Sequence, residues 1–149
     1  LSRRQRQMCI RDSDNAKNYD KFMVQRSSVK THVNSLHPIH IYNKNYYVKV
    51  REGDTFRSIA DEVGISYKKL AQYNERDKND RLEPGEIIYL KKKQKKADKV
   101  YRNRPHRVKE GESMYSIAQN YGIRLSSLYK MNKLGPDYSI KVGDYLRVR

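Results

Sequence analysis

The chain repeats itself. Residues 47–74, YVKVREGDTFRSIADEVGISYKKLAQYN, are answered by PHRVKEGESMYSIAQNYGIRLSSLYKMN at 105–132, at a constant separation of 58 residues. Val50, Glu52, Gly53, Ser58, Ile59, Ala60, Gly64, Ile65, Leu70 and Asn74 are identical to Val108, Glu110, Gly111, Ser116, Ile117, Ala118, Gly122, Ile123, Leu128 and Asn132. The same separation carries Gly85 onto Gly143 without a gap. Chance identity arises at about one position in fifteen for average composition. So dense a cluster is a duplication, and each copy has to close a core of its own. With 36% hydrophobic and 34% charged residues, the chain cannot fill one large core, but it can fill compact ones of about 45 residues each.

Within a copy, the residues predict strand, helix, helix, strand. Tyr46 to Val50 is short, aromatic and β-branched, as a strand requires. Gly53 turns the chain, and Asp54 or Thr55 can cap a first helix by accepting from an exposed backbone N–H. Phe56, Ile59, Ala60 and Val63 fall on one helical face. Gly64 supplies a left-handed end. Ser66 can cap a second helix with Leu70, Ala71 and Tyr73 inward, and Asn74 ends it. After the turn Leu82-Glu83-Pro84-Gly85 comes a second strand, Ile87 to Leu90. The fold class is α+β: two small modules, each a two-stranded antiparallel sheet covered by two helices.

Charge marks the boundaries. The formal net charge is +16, concentrated in KKKQKKADKVYRNR at 91–104, while residues 47–90 are nearly neutral. The expected organisation is a segment 1–13, a tail 14–45 from an upstream domain, a module 46–92, a basic linker 93–104, extended or partly helical, and a module 105–149. An extra strand within IHIYNKNYYVKV at 39–50 is a further expectation. Residues 1–13, LSRRQRQMCIRDS, are similar to translated sequencing-adapter text and are expected to be non-native. They hold Cys9, the one cysteine, so no disulfide can form within the chain.

Both copies resemble the LysM (lysin motif) family. The residues that carry this are Val50-Arg51-Glu52-Gly53-Asp54-Thr55-Phe56, Ile59-Ala60, Gly64-Ile65-Ser66, Leu70, Asn74, Leu82, Pro84-Gly85 and Ile88. In the second copy they are Val108-Lys109-Glu110-Gly111-Glu112-Ser113-Met114, Ile117-Ala118, Gly122-Ile123, Leu128, Asn132, Ile140, Val142-Gly143 and Leu146. Tandem copies of this kind are similar to the C-terminal region of bacterial cell-wall glucosaminidases. The resemblance implies binding of N-acetylglucosamine-containing glycan, peptidoglycan or chitin, by a monomer in the bacterial cell envelope. It implies no cofactor and no catalysis by this region; a glucosaminidase domain would lie upstream.

The resemblance also places the ligand in a groove between two loops of each module. The glycan-binding residues it implies are Gly53, Asp54, Thr55, Phe56, Asn74 and Leu82 in the first copy. In the second they are Gly111, Glu112, Ser113, Met114, Tyr115, Asn132, Leu134, Tyr138 and Ile140. Several have structural reasons to be there: a turn, a cap, a core position, a helix end. Tyr115 and Tyr138 are the better candidates for contact with a sugar face. Glu52, Glu110 and Glu112 could be imagined as an acid pair, but Glu52 and Glu110 recur in a turn of each copy, as a structural role requires. His37 and His40 in LHPIH could ligate a metal, yet Pro38 breaks a helix between them and no cysteine or acidic cluster accompanies them. The competing reading, from another class, is nonspecific nucleic-acid or polyanion binding through the basic linker. The modules lack the basic aromatic face that specific nucleic-acid recognition needs, and no stretch is apolar enough to span a bilayer.

Overall fold

A computed structural model describes residues 36–149. The segment expected to be non-native and most of the expected tail lie outside these residues. Two compact units follow one another, the first ending at Lys92 and the second beginning at Lys93.

The first unit holds β1 (His40–Tyr42), β2 (Asn45–Lys49), α1 (Phe56–Val63), α2 (Tyr67–Tyr73) and β3 (Ile87–Tyr89). The strands form one antiparallel sheet in the order β1-β2-β3, with Ile41 opposite Tyr46 and Val48 opposite Ile88. The extra strand is therefore real, and this sheet has three strands where two were expected. The β1–β2 turn consists of Asn43 and Lys44, both at positive φ. That is the backbone of a two-residue type I′ turn, whose usual Asn-Gly signature the sequence lacks.

Thr55, not Asp54, caps α1: its side chain accepts from Ser58 N, and the Ser58 hydroxyl accepts in return from Thr55 N. Gly64 ends the helix at φ 73°. Ser66 sits at the head of α2 but makes no side-chain capping bond, so packing holds that helix. Its buried residues are Leu70 and Ala71, with Tyr73 half-buried. The core joins Tyr46, Val48, Val50, Phe56, Ile59, Leu70, Leu82, Ile88 and Leu90. Each large apolar side chain buried there contributes about 1.5–3 kcal/mol.

The second unit repeats the order with β4 (His106–Arg107), α3 (Met114–Tyr121), α4 (Leu125–Met131) and β5 (Tyr145–Leu146). Its sheet is two-stranded, His106 facing Leu146. Ser113 and Ser116 rebuild the capping box, and Gly122 rebuilds the left-handed end. Val108, Met114, Ile117, Ala118, Ile123, Leu128, Leu146 and Val148 form its core.

Residues 93–104 are not a free spacer. Lys93 is 1% exposed, and its Nζ donates to Gln119 Oε1 at 2.7 Å. Gln94 bridges Ile123 in parallel, and its carbonyl accepts from Arg124 N. Arg124 Nε donates to the Lys93 carbonyl. Ala97, 1% exposed, joins the core and donates its N–H to the Val148 carbonyl. A 3-10 turn, Lys99–Tyr101, follows, capped by Asp98. The high charge of this run conceals Ala97, which is buried in the second core, and Tyr101, which packs against it, and lysine stems can lie along apolar surface. Residues 36–45, the described part of the expected tail, carry β1 and the buried His37 in the first unit.

Candidate functional site

In each unit two loops meet at one end of the sheet. In the first, residues 51–55 lead from β2 to α1, and residues 75–86 lead from α2 to β3. Both are stitched to Val50, whose N–H donates to the Glu86 carbonyl and whose carbonyl accepts from Gly85 N, each at 2.8 Å. Val108 makes the same two bonds with Asp144 and Gly143 in the second unit.

The strand-to-helix loop is shaped by its acidic residue. Asp54 Oδ2 accepts from Arg51 N at 2.6 Å, closing the turn in which Gly53 sits at φ 84°. Glu112 Oε1 accepts from Lys109 N at 2.6 Å around Gly111 at φ 82°. A Cβ built on either glycine meets none of the described residues within 4 Å. Both turns thus present bare backbone to solvent, as close approach of a ligand requires.

A histidine braces each turn from behind. His37 Nε2 lies 2.5 Å from Asp54 Oδ2, and its Nδ1 lies 2.9 Å from Glu62 Oε2. His106 Nε2 lies 2.9 Å from Glu112 Oε1, and its Nδ1 lies 2.8 Å from the Tyr121 hydroxyl. The two histidines come from different places in the repeat. Burial raises the Glu112 carboxyl pKa, but the hydrogen bonds and charges of His106 and Lys109 outweigh this and hold it below the ordinary range. With its ring flanked by two carboxylates, His37 has a structural role; His40 stacks on Tyr47 at 4.9 Å.

The second loop is held differently in the two units. Arg76 fans out to Asp80, Glu86 and the Arg81 carbonyl at 2.9–3.1 Å in the first. In the second, the Tyr138 hydroxyl donates to Asp144 Oδ2 at 3.2 Å, and Lys141 N donates to the same oxygen. That hydrogen bond and the Asp144 charge raise the Tyr138 pKa.

The LysM domain model matches residues 48–91 and again residues 106–149, more than half of the chain. The chain belongs to the LysM family. LysM domains bind peptidoglycan-type, N-acetylglucosamine-containing glycans; they are binding domains, not catalytic ones. Membrane-bound lytic murein transglycosylase D of Escherichia coli (strain K12) is 33% identical over 86 residues, which are 56% of this chain and 19% of that protein. Autolysin of Enterococcus faecalis (strain ATCC 700802 / V583) is 28% identical over 104 residues, 66% of this chain and 14% of that one. The crystal structure of the Bacillus cereus spore cortex-lytic enzyme SleL is 28% identical with a TM-score of 0.29, over 69% of this chain and 22% of that chain. The chain spans less than a quarter of the length of each.

The expected glycan-binding residues divide by exposure. Gly53, Thr55, Gly111 and Ser113 are exposed on the first loop of their LysM domains, with Asp54 and Glu112 half-buried beneath. Phe56, Met114 and Leu82 lie in the cores. Leu134 and Ile140 are half-buried and packed against the second core. Asn74 ties a helix end to β3, and Asn132 ties one to Arg147, just after β5. The half-buried Tyr115 ring lies 5.6 Å from the Lys93 ammonium. Tyr138 is 42% exposed on the second loop.

Sequence reasoning missed two kinds of residue. The first is the bracing pair, His37 and His106, together with Arg76. The recurrence of an acid at Asp54 and Glu112 was the available signal, but neither histidine stands at a repeated position. The second is a set of exposed apolar side chains, Val142 at 68% and Tyr145 at 65%. Val142 stands where the first copy has Pro84, and that substitution was visible.

Proposed function

We propose that both LysM domains bind N-acetylglucosamine-containing glycan of the cell wall through the two-loop end of the sheet. They would hold a longer protein, such as a peptidoglycan hydrolase, against the polymer it acts on. The region itself cleaves nothing and works as a monomer in the cell envelope.

One observation carries this reading. Each domain presents a glycine turn of open backbone beside a second loop, and the two are stitched at Val50 or Val108. The pairing persists although the second loops are held by different side chains. An N-acetyl group needs backbone donors and acceptors beside a small apolar contact, and sugar faces need apolar or aromatic surface. Thr55, Ser113 and Tyr138 supply such groups at the rim. The relatives, a lytic murein transglycosylase and an autolysin, bear names that fit a wall polymer. Single sites of this shallow kind bind weakly, and two on one chain gain by avidity.

The test is co-sedimentation of the chain with insoluble peptidoglycan, with N-acetylglucosamine oligomers as competitors. Retention that oligomers displace and moderate salt does not is the expected result. Retention lost at moderate salt and indifferent to oligomers would mean that net charge alone is responsible.

A further inference from the structure

The second unit carries a pocket that the glycan reading does not use. Its volume is about 390 Å³, and its lining includes Lys96, Arg102, Arg104, Arg147 and Arg149, with the Tyr101 ring as one wall. Among the described residues, no acidic side chain lines it. The Arg149 guanidinium is anchored by donation to the Ala97 carbonyl at 2.7 Å. Arg102, Arg104 and Arg147 are exposed.

The pocket lies at the far end of the sheet from the candidate glycan loops. Arg104 and Pro105 immediately precede β4, and antiparallel pairing sets the residues after β5, Arg147 to Arg149, beside them. The loops at 109–113 and 133–144 lie beyond the opposite ends of the same two strands; Asn132, where the second of them starts, reaches back only to the backbone of Arg147, not to its guanidinium. A ligand here leaves the glycan loops free.

The first unit shows that this end can be built otherwise. At the repeat separation, Arg104 and Arg147 answer Tyr46 and Tyr89, both fully buried. β1 answers Asp98 to Val100, where the second unit makes its 3-10 turn instead of a third strand. The end that the first unit closes with tyrosines and a strand, the second leaves open and lines with guanidinium groups.

We infer that this pocket is an anion site for phosphate groups carried on a polyanion. Guanidinium forks match phosphate oxygens two at a time, and several forks along an open wall suit consecutive phosphates better than one ion. A nucleic acid fits less well. Single-strand binding relies on a series of aromatic faces, whereas among the described residues the pocket has one aromatic ring, Tyr101, packed edge-on against Tyr121.

The test titrates the whole chain with inorganic polyphosphate at two salt concentrations. Arg104→Gln with Arg147→Gln is expected to weaken binding at least tenfold and to flatten its salt dependence. Lys68→Gln with Lys69→Gln, which removes the same charge from α2, is expected to leave it within about threefold, as diffuse charge alone would give. N-acetylglucosamine oligomers are expected not to compete. Equal losses in the two double variants would overturn the site, as would competition by the oligomers. So would tighter binding of a single-stranded oligonucleotide of equal charge, or no saturable binding of polyphosphate. Amide spectra confirm the fold; if the arginine pair unfolds the unit, Arg102→Gln carries the comparison against Lys68→Gln. Because the readout is polyphosphate, it stands whether or not the glycan reading does.

Discussion

Asn74 and Tyr89 pair as two strand residues would. Asn74 Oδ1 accepts from Tyr89 N at 2.7 Å, and Asn74 Nδ2 donates to the Tyr89 carbonyl at 2.9 Å. Nδ2 also donates to the Leu70 carbonyl near the end of α2. One side chain thus gives the edge of β3 a hydrogen-bonding partner and ties the helix to the sheet. Asn132 does the same with Arg147 and Leu128.

Replacing Asn74 by Ala removes both hydrogen bonds that it makes to the buried Tyr89 backbone. The expected loss is on the order of 3 kcal/mol, since each unsatisfied buried group costs about 1–3 kcal/mol. Asn132→Ala should cost less, because that site is half-buried and water can substitute. Hydrogen exchange, which reads the two domains separately, checks the order; equal losses would contradict it.

Gly53→Ala and Gly111→Ala each force a side chain into the left-handed region at a cost of about 1 kcal/mol. The added methyl meets none of the described residues, so the domains should stay folded. Glycan binding should fall by more than stability does, because the methyl stands where the ligand approaches the backbone. Calorimetric titration with N-acetylglucosamine oligomers, alongside thermal melting, separates the two effects.

Glu112 sets a pH dependence. Its carboxyl pKa lies below the ordinary value, so its stabilisation is complete above the unfolded carboxylate pKa, about 4.3, and is lost as pH falls through the lower folded value. Glu112→Gln should therefore destabilise the second domain at pH 7 by about 1 kcal/mol. The difference from the parent should narrow below about pH 4. Urea titrations at pH 7 and pH 3 check the sign; a gap that widens on acidification would refute it.

Tyr138→Phe keeps the ring and removes the bond to Asp144, whereas Tyr138→Ala removes both. If the exposed ring meets a sugar face, the Phe variant retains affinity for the oligomers and the Ala variant loses about tenfold, or about 1.4 kcal/mol. Parallel losses would point instead to the hydroxyl and its hold on the loop.

The element order was legible because it rests on local rules: Gly64 and Gly122 as left-handed ends, a cap at Asp54 or Thr55, Phe56 to Val63 as one apolar face. What was illegible depends on contacts distant in sequence. Nothing near His37 indicates that it reaches Asp54 and Glu62. The Asn43-Lys44 turn lacks its usual glycine, so nothing local marks the hairpin that joins β1 to β2. At the site, the exposed glycine turns were read correctly as turns, but Leu82 and Met114 went to the cores. Periodicity alone could not say which loop residues would face inward.

The docking of residues 93–104 changes what counts as a transferable part. A LysM domain excised at Pro105 would leave behind Ala97, uncover Val148, and strand the partners of Gln119 and Arg124. The piece to graft onto another protein begins at Lys93. A stretch resembling a tether is a fastening, and any slack for the graft has to be added in front of it.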